Sequence, residues 1–484
     1  MIADLYVKLD RVITHVYTFL KCKVNGTVFG LERTEAELEA ERNAAFSRRV
    51  KISIITPLYN TPSKYLREMI DSVIAQTYDN WELCIADFSD DPASEVEAIA
   101  SEYAANDARI VFRTESENLG ISENTNTCIS MATGEYIAIL DHDDVLHPSA
   151  LYEVMKRIEE HADFIYSDEI KFEENIKFPY APAFKPDFGR EELRVRNYIC
   201  HFNVYKRTLL DKAGLYDPDF DGSQDHDIVL RLTQKAEKIV HIPKILYYWR
   251  VHKASVAGNI GAKPYATNAG IRAVMAAYER DGYNFYPASV KNNIPDYRLP
   301  AADTTGASIR VVKLNDIDRN IDAILGATTE EYLFLIDSGL EIVTENYLGE
   351  MLVYAMQRGV GAVDAMITDT SGRIFSAGLY VREGGSVGAR GMGKKADYPG
   401  YESDFTHIRN VSVASGICTM ISRSDYRKPG SRMVWTPHVV ATGDQDKIMN
   451  ALNGRILYTD VTGGTDPYYN PNILKFRLEK DNVI

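Results

Sequence analysis

The residues with the clearest capacity for chemistry form the run Asp141-His142-Asp143-Asp144, which follows the apolar stretch 136–140. Carboxylates at a strand end can hold a divalent cation between themselves and a diphosphate, because Mg2+ takes oxygen ligands and is commonly bound by one or two carboxylates plus substrate phosphates. An Asp-rich turn standing alone is equally a helix cap or a solvated bend. This run has company, however: Pro57-Leu58-Tyr59-Asn60, Asp87 and Glu117-Asn118 also come directly after apolar runs. Polar and acidic sets at successive strand ends should converge on one crevice.

The elements that must position them begin at Val50. Residues 51–56 are rich in β-branched side chains and run into Pro57, and 66–76 carry apolar residues at helical spacing. The alternation continues with a strand at 81–87, a helix at 93–105, a strand at 110–113, a helix at 121–132 and a strand at 136–141. Alternation of this kind predicts an α/β domain with a Rossmann-like, mostly parallel sheet covered by helices on both faces. In such sheets ligands sit at the carboxyl ends of the strands, where the polar sets lie.

Composition narrows the function. The chain has 484 residues, 45% of them hydrophobic and 25% charged, which is globular and long enough for two or three domains. Its formal net charge of -15 repels a phosphate backbone, so nucleic acid is not an expected partner. The five cysteines form no CxxC pair, which points away from a zinc cluster or a disulfide framework and toward a reducing compartment. No run reaches the roughly 18 apolar residues of a membrane span, and the expected location is the cytoplasm. Ile2, Leu5, Leu9, Val12, Ile13, Val16 and Leu20 predict an amphipathic N-terminal helix. It could pack on the main domain, associate with another subunit or touch the inner face of a membrane. A charged connector follows at 32–49.

The second half echoes the first. Glu135-Tyr136 through Asp141 is repeated in Glu331-Tyr332 through Asp337, and Gly222-Ser-Gln224-Asp225 loosely in Gly443-Asp-Gln445-Asp446. The expected organisation is residues 1–49 as helix and connector, 50–285 as the catalytic domain, 286–305 as a Pro-, Asn- and Asp-rich linker, and 306–484 as a degenerate copy. That copy has Gly339 and Leu340 where the first half has Asp143 and Asp144, so it cannot assemble the same cation site. Binding, oligomerisation or acceptor docking is its expected role. The glycine-rich segment 388–395 lacks the Ser or Thr of a phosphate loop and is read as a loop.

Taken in order, Pro57-Leu-Tyr59-Asn60, Asp87, Asn118-Leu-Gly120, Gly134-Glu-Tyr, Asp141-His-Asp-Asp144, Tyr166-Ser-Asp168-Glu169, Gln224-Asp225-His-Asp227 with Leu230-Arg231, and Tyr248-Trp249-Arg250-Val-His252-Lys-Ala-Ser255 resemble the family 2 glycosyltransferases of GT-A fold. The match covers about residues 50–260 and is specific through order and spacing. It is most similar to bacterial enzymes that build O-antigen, capsule and rhamnose-rich wall polysaccharides, whose chains often end in a Pro-Tyr-Tyr-Asn-Pro-Asn segment like that at 467–472.

The resemblance implies a GT-A catalytic domain followed by a degenerate GT-A-like α/β domain. It implies an inverting transfer of a sugar from a UDP or dTDP donor, dTDP-rhamnose among them, to a glycan or lipid-linked acceptor, assisted by Mg2+ or Mn2+. Asp225 takes the position of the family's catalytic base, a role compatible with capping the helix it begins. Thr56, Pro57, Tyr59, Asn60, Asp87, Asn118, Gly120, Asp141 and Arg250 fall at nucleotide-sugar positions, with Asn126 nearby. Asp143, Asp141 and His252 fall at the cation. Asp168, Trp249 and Asp227, with Lys185, Asn197 and His201, match the acceptor side, where structural hydrogen bonding is an equal alternative. The family often has an arginine at 121–126; this chain has none, which leaves the diphosphate to the metal and Arg250.

Other classes stay open. A glycan-binding scaffold on the same fold is opposed by Asp141, Asp143, Asp225 and His252 being present together. A dinucleotide oxidoreductase is opposed by Pro57-Leu-Tyr-Asn60 standing where a glycine-rich turn is needed. Paired-carboxylate glycoside hydrolysis would be told apart by metal dependence and nucleotide release.

Overall fold

A computed structural model describes residues 16, 17, 20, 31–252, 264–290, 296–315, 320–382, 384–452, 455–458, 466–470, 472, 473, 482 and 483. Most of the N-terminal helix 2–20 and Ser255 lie outside the described residues. The chain divides into two compact units, Met1–Lys185 with Asn197–Gly282, and Pro186–Arg196 with Tyr283–Ile484.

The first unit begins with α1 (Glu35–Arg42), started by a capping box in which Thr34 and Glu37 satisfy each other's backbone N–H groups. It continues as β1 (Ile52–Leu58), α2 (Ser63–Ile74), β2 (Trp81–Asp87), α3 (Val96–Asn106), β3 (Ile110–Thr114), α4 (Ile121–Met131) and β4 (Tyr136–Ile139). These follow the sequence expectation to within a few residues at each end. There follow β5 (Val145–Leu146), α5 (Ala150–Glu159), β6 (Phe164–Phe172), β7 (Tyr180–Ala183), β8 (Asn203–Lys206), α6 (Arg207–Ala213), α7 (Gln224–Thr233), β9 (Ile239–Arg250) and α8 (Pro264–Arg280).

The sheet order is β3-β2-β1-β4-β8-β6-β9-β5, with β7 beside β6. From β3 to β4 every pairing is parallel, as the strand–helix alternation requires. Beyond β4 the pairing is mixed: β8 runs antiparallel to β4 and β6, and β6 and β9 are parallel to each other. β1 and β2 are buried along almost their whole length, the burial pattern of a sheet covered on both faces. Leu66, Met69, Ile70 and Val73 of α2 pack with Ile54, Leu83, Ile85 and Tyr136 in one core.

The second unit repeats half of this plan. Strand Ile309–Leu314 lies parallel to Tyr332–Asp337, which pairs antiparallel with Cys418–Ser422. Cys418–Ser422 pairs antiparallel with Val360–Asp369, itself parallel to Arg432–Gly443, and Leu340–Ile342 closes the series antiparallel. That is the pairing pattern of β1, β4, β8, β6, β9 and β5. The register agrees as well, since Ile52 stands opposite Tyr136 and Ile309 opposite Tyr332. Counterparts of β2 and β3 are absent among the described residues.

The topology corrects three expectations. Gln445–Leu452 follows strand Arg432–Gly443, whereas α7 precedes β9, so Gln445-Asp446 is not the counterpart of Gln224-Asp225. Residues 423–431 stand where the first unit has 207–238, and this connection is too short to carry the helix that presents Asp225. Residues 288–298 do not read as a plain linker, because Ala288–Val290 and Asp296–Arg298 pair antiparallel and Tyr297 and Leu299 are buried.

The third correction concerns 186–196, expected in the catalytic domain. Its short helix Arg190–Val195 belongs to the second unit, where Glu191 accepts from Arg432 Nη2 at 2.7 Å and from Asn410 Nδ2 at 2.7 Å. A buried carboxylate needs such partners, and they lie more than two hundred residues away in sequence.

Because Leu83 is fully buried in the middle of β2, Leu83→Ala should cost about 2–5 kcal/mol. Urea unfolding of the two proteins side by side measures it.

Candidate active site

The site assembles where β1, β2 and β4 end and where β9 and α7 bring distant residues back. On the β1 side, Thr56 is fully buried and its Oγ1 donates to the Leu140 carbonyl at 2.8 Å, which ties β1 to the turn before Asp141. Its expected place on the nucleotide is thereby corrected, since the hydroxyl serves the scaffold. Tyr59 is 40% exposed and donates to Asp90 Oδ2 at 2.9 Å. Asn60 adopts a left-handed φ of 48° and spends its amide on Asp90 and the Asp91 N–H, so it shapes the turn. Pro57 is partly exposed beside them.

Asp87 ends β2 opposite Leu58 and accepts from the Ser89 N–H at 2.9 Å and the Ser89 hydroxyl at 2.5 Å. It acts as a turn cap at the position where the nucleotide base is expected. Asn118 Oδ1 accepts from Gly120 N and Asn124 Nδ2. Gly120 has φ +97°, and a Cβ there would lie 2.9 Å from Asp221 Oδ2, so a side chain is excluded on two counts. Asn126 exchanges two hydrogen bonds with the Tyr216 backbone and fastens α4 to the approach of α7.

After β4 the acidic run separates into distinct environments. Asp144 is buried and accepts from the Arg250 N–H at 2.6 Å and the Tyr247 hydroxyl. Asp143 Oδ2 lies 2.7 Å from His252 Nε2, so a residue two beyond the end of β9 closes on the turn after β4. Thr61 holds His142 through Nδ1 at 2.9 Å.

Arg250 departs from expectation. Its side chain has 0% exposure; Nε donates to the Asp143 carbonyl at 2.6 Å and Nη2 to Glu68 at 2.6 Å, while Tyr65 and Phe172 cover its faces at 4.2 and 4.4 Å. A guanidinium so enclosed braces the Asp143 turn and presents no exposed surface.

Solvent reaches Asp141 and Asp225, yet protein atoms crowd around both. That crowding pushes Asp141 up to about 7; His201 opposes the shift, and the charges of Asp225, Asp143 and Glu169 add to it. Asp225 is raised for the same reason and drawn back by His201. Asp143 and Asp225, from opposite ends of the motif series, therefore act on the same carboxylate.

Glu169 and His201 are held together as a pair. Glu169 Oε2 accepts from Lys185 Nζ at 2.8 Å and from the His201 N–H at 2.8 Å, with His201 Nδ1 at 3.2 Å. Although burial works against its charge, Lys185 and His201 hold Glu169 down at about 2. Trp249 is half-buried, with its ring 4.3 Å from His201 and Lys171 Nζ 4.6 Å from its face.

Two expected acceptor-side residues are structural. Asp168 is fully buried and pairs with His241 Nε2 at 2.8 Å while accepting the Lys185 N–H at 2.8 Å. Asp227 is buried against Arg231 one helical turn on, at 2.6 Å. Sequence reasoning missed Glu68, Tyr247 and the anchoring role of Glu169. Their partners lie 182, 103 and 32 residues away, beyond any local spacing signal.

The donors present suit a hard divalent cation: carboxylate oxygen from Asp143, imidazole nitrogen from His252, and Asp141 close by. No cluster of three such ligands forms among the described residues, so the expected set of Asp143, Asp141 and His252 is reduced to the pair Asp143 and His252. Sites completed by water and substrate phosphate need no more.

A sequence model described as Glycosyl transferase family 2 matches residues 53–217. An uncharacterized protein of Sinorhizobium fredii is 33% identical over 78% of this chain and 48% of its own length. The O-antigen biosynthesis protein RfbC of Myxococcus xanthus is 28% identical over 72% of this chain and 32% of its own. An uncharacterized glycosyltransferase of Methanocaldococcus jannaschii is 30% identical over 41% of this chain and 70% of its own. The chain thus spans about half the length of the first of these and a third of the second.

Asp168→Ala should destabilise the protein by about 3–5 kcal/mol, because it leaves His241 buried without its carboxylate. Denaturant midpoints measure the loss. Glu169, lowered on folding from 4.5 to about 2, contributes stability that is present above its ordinary value and lost as pH falls through about 2. Glu169→Gln should therefore be less stable than the parent at neutral pH, and the gap should close as both are acidified from about pH 5 toward 2.

Proposed function

This chain belongs to glycosyl transferase family 2, and on that premise we propose that it is an inverting transferase that moves a sugar from a UDP or dTDP donor to a surface polysaccharide or lipid-linked glycan. The observation that supports the reading is that the charges of both Asp143 and Asp225 bear on Asp141, as expected if a cation-binding carboxylate and a candidate base stand near one another. The name of the relative from Myxococcus xanthus supports a polysaccharide acceptor. No helix among the described residues is long and apolar enough to cross a membrane.

Pro57 and Tyr59 would receive the nucleotide base beside Asp87 and Asn118. Asp143 and His252 would hold Mg2+ or Mn2+ with Asp141 near its shell, and the bound cation would spread the charge of the departing diphosphate. Arg250 contributes by fixing the Asp143 turn and the Asp144 carboxylate, which orients the pair that binds.

On the other side of the sugar, Asp225 takes the proton of the acceptor hydroxyl. The alcohol oxygen bonds to the anomeric carbon as the bond from that carbon to the diphosphate breaks, so configuration inverts in one displacement. Trp249, half-buried between Lys171 and His201, would stand at the acceptor side. The second unit, with Gly339 and Leu340 in place of two acidic residues and without a helix equivalent to α7, serves docking or assembly.

A panel of UDP-, dTDP- and GDP-sugars, each with Mg2+ or Mn2+, tests the reading by thermal unfolding. A true donor raises the midpoint in a metal-dependent way, since ligands stabilise the state they bind. No shift with any donor overturns it. Asp143→Asn should abolish the metal dependence. Asp225→Asn should keep donor binding while lowering nucleotide release about 10²- to 10⁴-fold.

A further inference from the structure

The turn that leads into α7 is fastened on both sides before it delivers Asp225. On one side it meets the start of α4. Asp221 Oδ1 accepts from the Ser122 hydroxyl at 2.5 Å, and a Cβ on Gly120 would lie 2.9 Å from Asp221 Oδ2. One carboxylate thus rests against both residues that flank Ile121, at the amino end of a helix, where negative charge is favoured. Gly120 brings no capping side chain of its own. Ser122 is fully buried, and its remaining contact, the Asp217 carbonyl, is longer at 3.4 Å. One turn further along α4, Asn126 holds the Tyr216 backbone at 2.8 and 3.0 Å.

On the other side the turn meets α8. Ser223 Oγ donates to the Ala266 carbonyl at 2.8 Å, and Arg272 Nη2 donates to the Asp219 carbonyl at 2.6 Å. Ser223 stands directly before α7 and spends its hydroxyl there instead of capping the helix. The Gly222 N–H donates to Gln224 Oε1 at 2.8 Å, and the Ser223 N–H to the Phe220 carbonyl at 2.8 Å. Asp225 follows four residues after Asp221. The opposite flank of the α4 start is also tied: Asn118 Oδ1 accepts from the Gly120 N–H at 3.1 Å and Asn124 Nδ2 at 2.9 Å, and the Leu119 N–H donates to Asn124 Oδ1 at 3.2 Å.

We propose that Asp221 is a positioning residue for the transfer: by clamping Gly120 and Ser122 it fixes the turn that carries Asp225 against the Asn118–Gly120 turn. The base is thereby set relative to the donor. The inference rests on Asp225 being the base and on the Asn118–Gly120 turn lying beside the nucleotide. Asp221 acts through the backbone and takes no proton itself.

The need for such a clamp follows from the chain around it. The segment runs between Gly214 and Gly222, both left-handed at φ +83° and +95°, and glycine leaves a backbone the widest choice of conformations. Bonds from α4 and α8 remove that choice. An in-line displacement tolerates little error, since a misplacement of about 1 Å can cost on the order of 10²-fold in rate.

The test uses the full chain and the donor that the thermal-unfolding panel identifies. Asp221→Ala should lower kcat about 10- to 100-fold while the donor KM stays within about threefold. Ser122→Ala, the milder change, removes the same bond from the other end and should also lower kcat. The double variant should be no slower than the slower single one, because both substitutions break one interaction. Asp221→Asn keeps an oxygen for the Ser122 hydroxyl and should bring kcat back to within about threefold of the parent. A residue that only stabilised the fold would lower the unfolding midpoint and leave kcat of the folded protein alone. An unchanged kcat in Asp221→Ala and Ser122→Ala, a loss carried by KM instead, losses that multiply in the double variant, or Asp221→Asn as slow as Asp221→Ala overturns the proposal. Should Asp221→Ala not fold, Ser122→Ala decides by the same split between kcat and KM. A parent that turns over no donor sinks the transferase reading. Amide hydrogen exchange at residues 222–228 then decides the clamp: faster exchange in Ser122→Ala supports it, and unchanged exchange overturns it.

Discussion

Like charges gathered in one place repel, and the first unit is built around making such a gathering tolerable. Asp141, Asp143 and Asp144 leave β4 together, and Asp225 approaches from α7. Each is given a different answer. Asp144 is buried and hydrogen-bonded into the scaffold, Asp143 faces a histidine, and Asp141 and Asp225 share the influence of His201. Sequence neighbours thus acquire distinct chemistry from surroundings alone, the general route by which one residue type serves several roles in a site.

The scaffold that permits this is the mixed half of the sheet. β6 and β9 run parallel side by side, and their ends carry Glu169, Tyr247, Trp249 and Arg250 to the turn after β4. Arg250 illustrates how much of a site is support. Its guanidinium, sandwiched between Tyr65 and Phe172 and bonded to Glu68, spends its charge on holding the Asp143 backbone. A side chain buried in the scaffold can still decide where the Asp143 turn points.

The second unit shows what the same plan becomes without its site. Six strands keep the pairing pattern of the first unit. The outer strands equivalent to β2 and β3 and the helix equivalent to α7 are absent among the described residues, and the acidic turn has become Gly339-Leu340. What remains is the part that packs. The elements missing are those that would present a nucleotide pocket and a base.

Local pattern in the amino-acid sequence was enough to place strands β1 to β4 and their helices, because apolar periodicity and turn residues act over neighbours along the chain. The acidic turn at 141–144 was legible from its place after a strand, and the family resemblance pointed to Asp225 as a candidate base and to His252 beside the turn, where His252 meets Asp143. Which carboxylates stay chemically active was decided only by the tertiary structure. Asp168 and Asp227 look as eligible as Asp225 until His241 and Arg231 are seen to bury and pair them, and Arg250 looks free until Glu68 is seen to hold it. The reason is physical. A charge is set by what surrounds it in three dimensions, and the residues that surround these come from strands and helices that only the folded chain brings together.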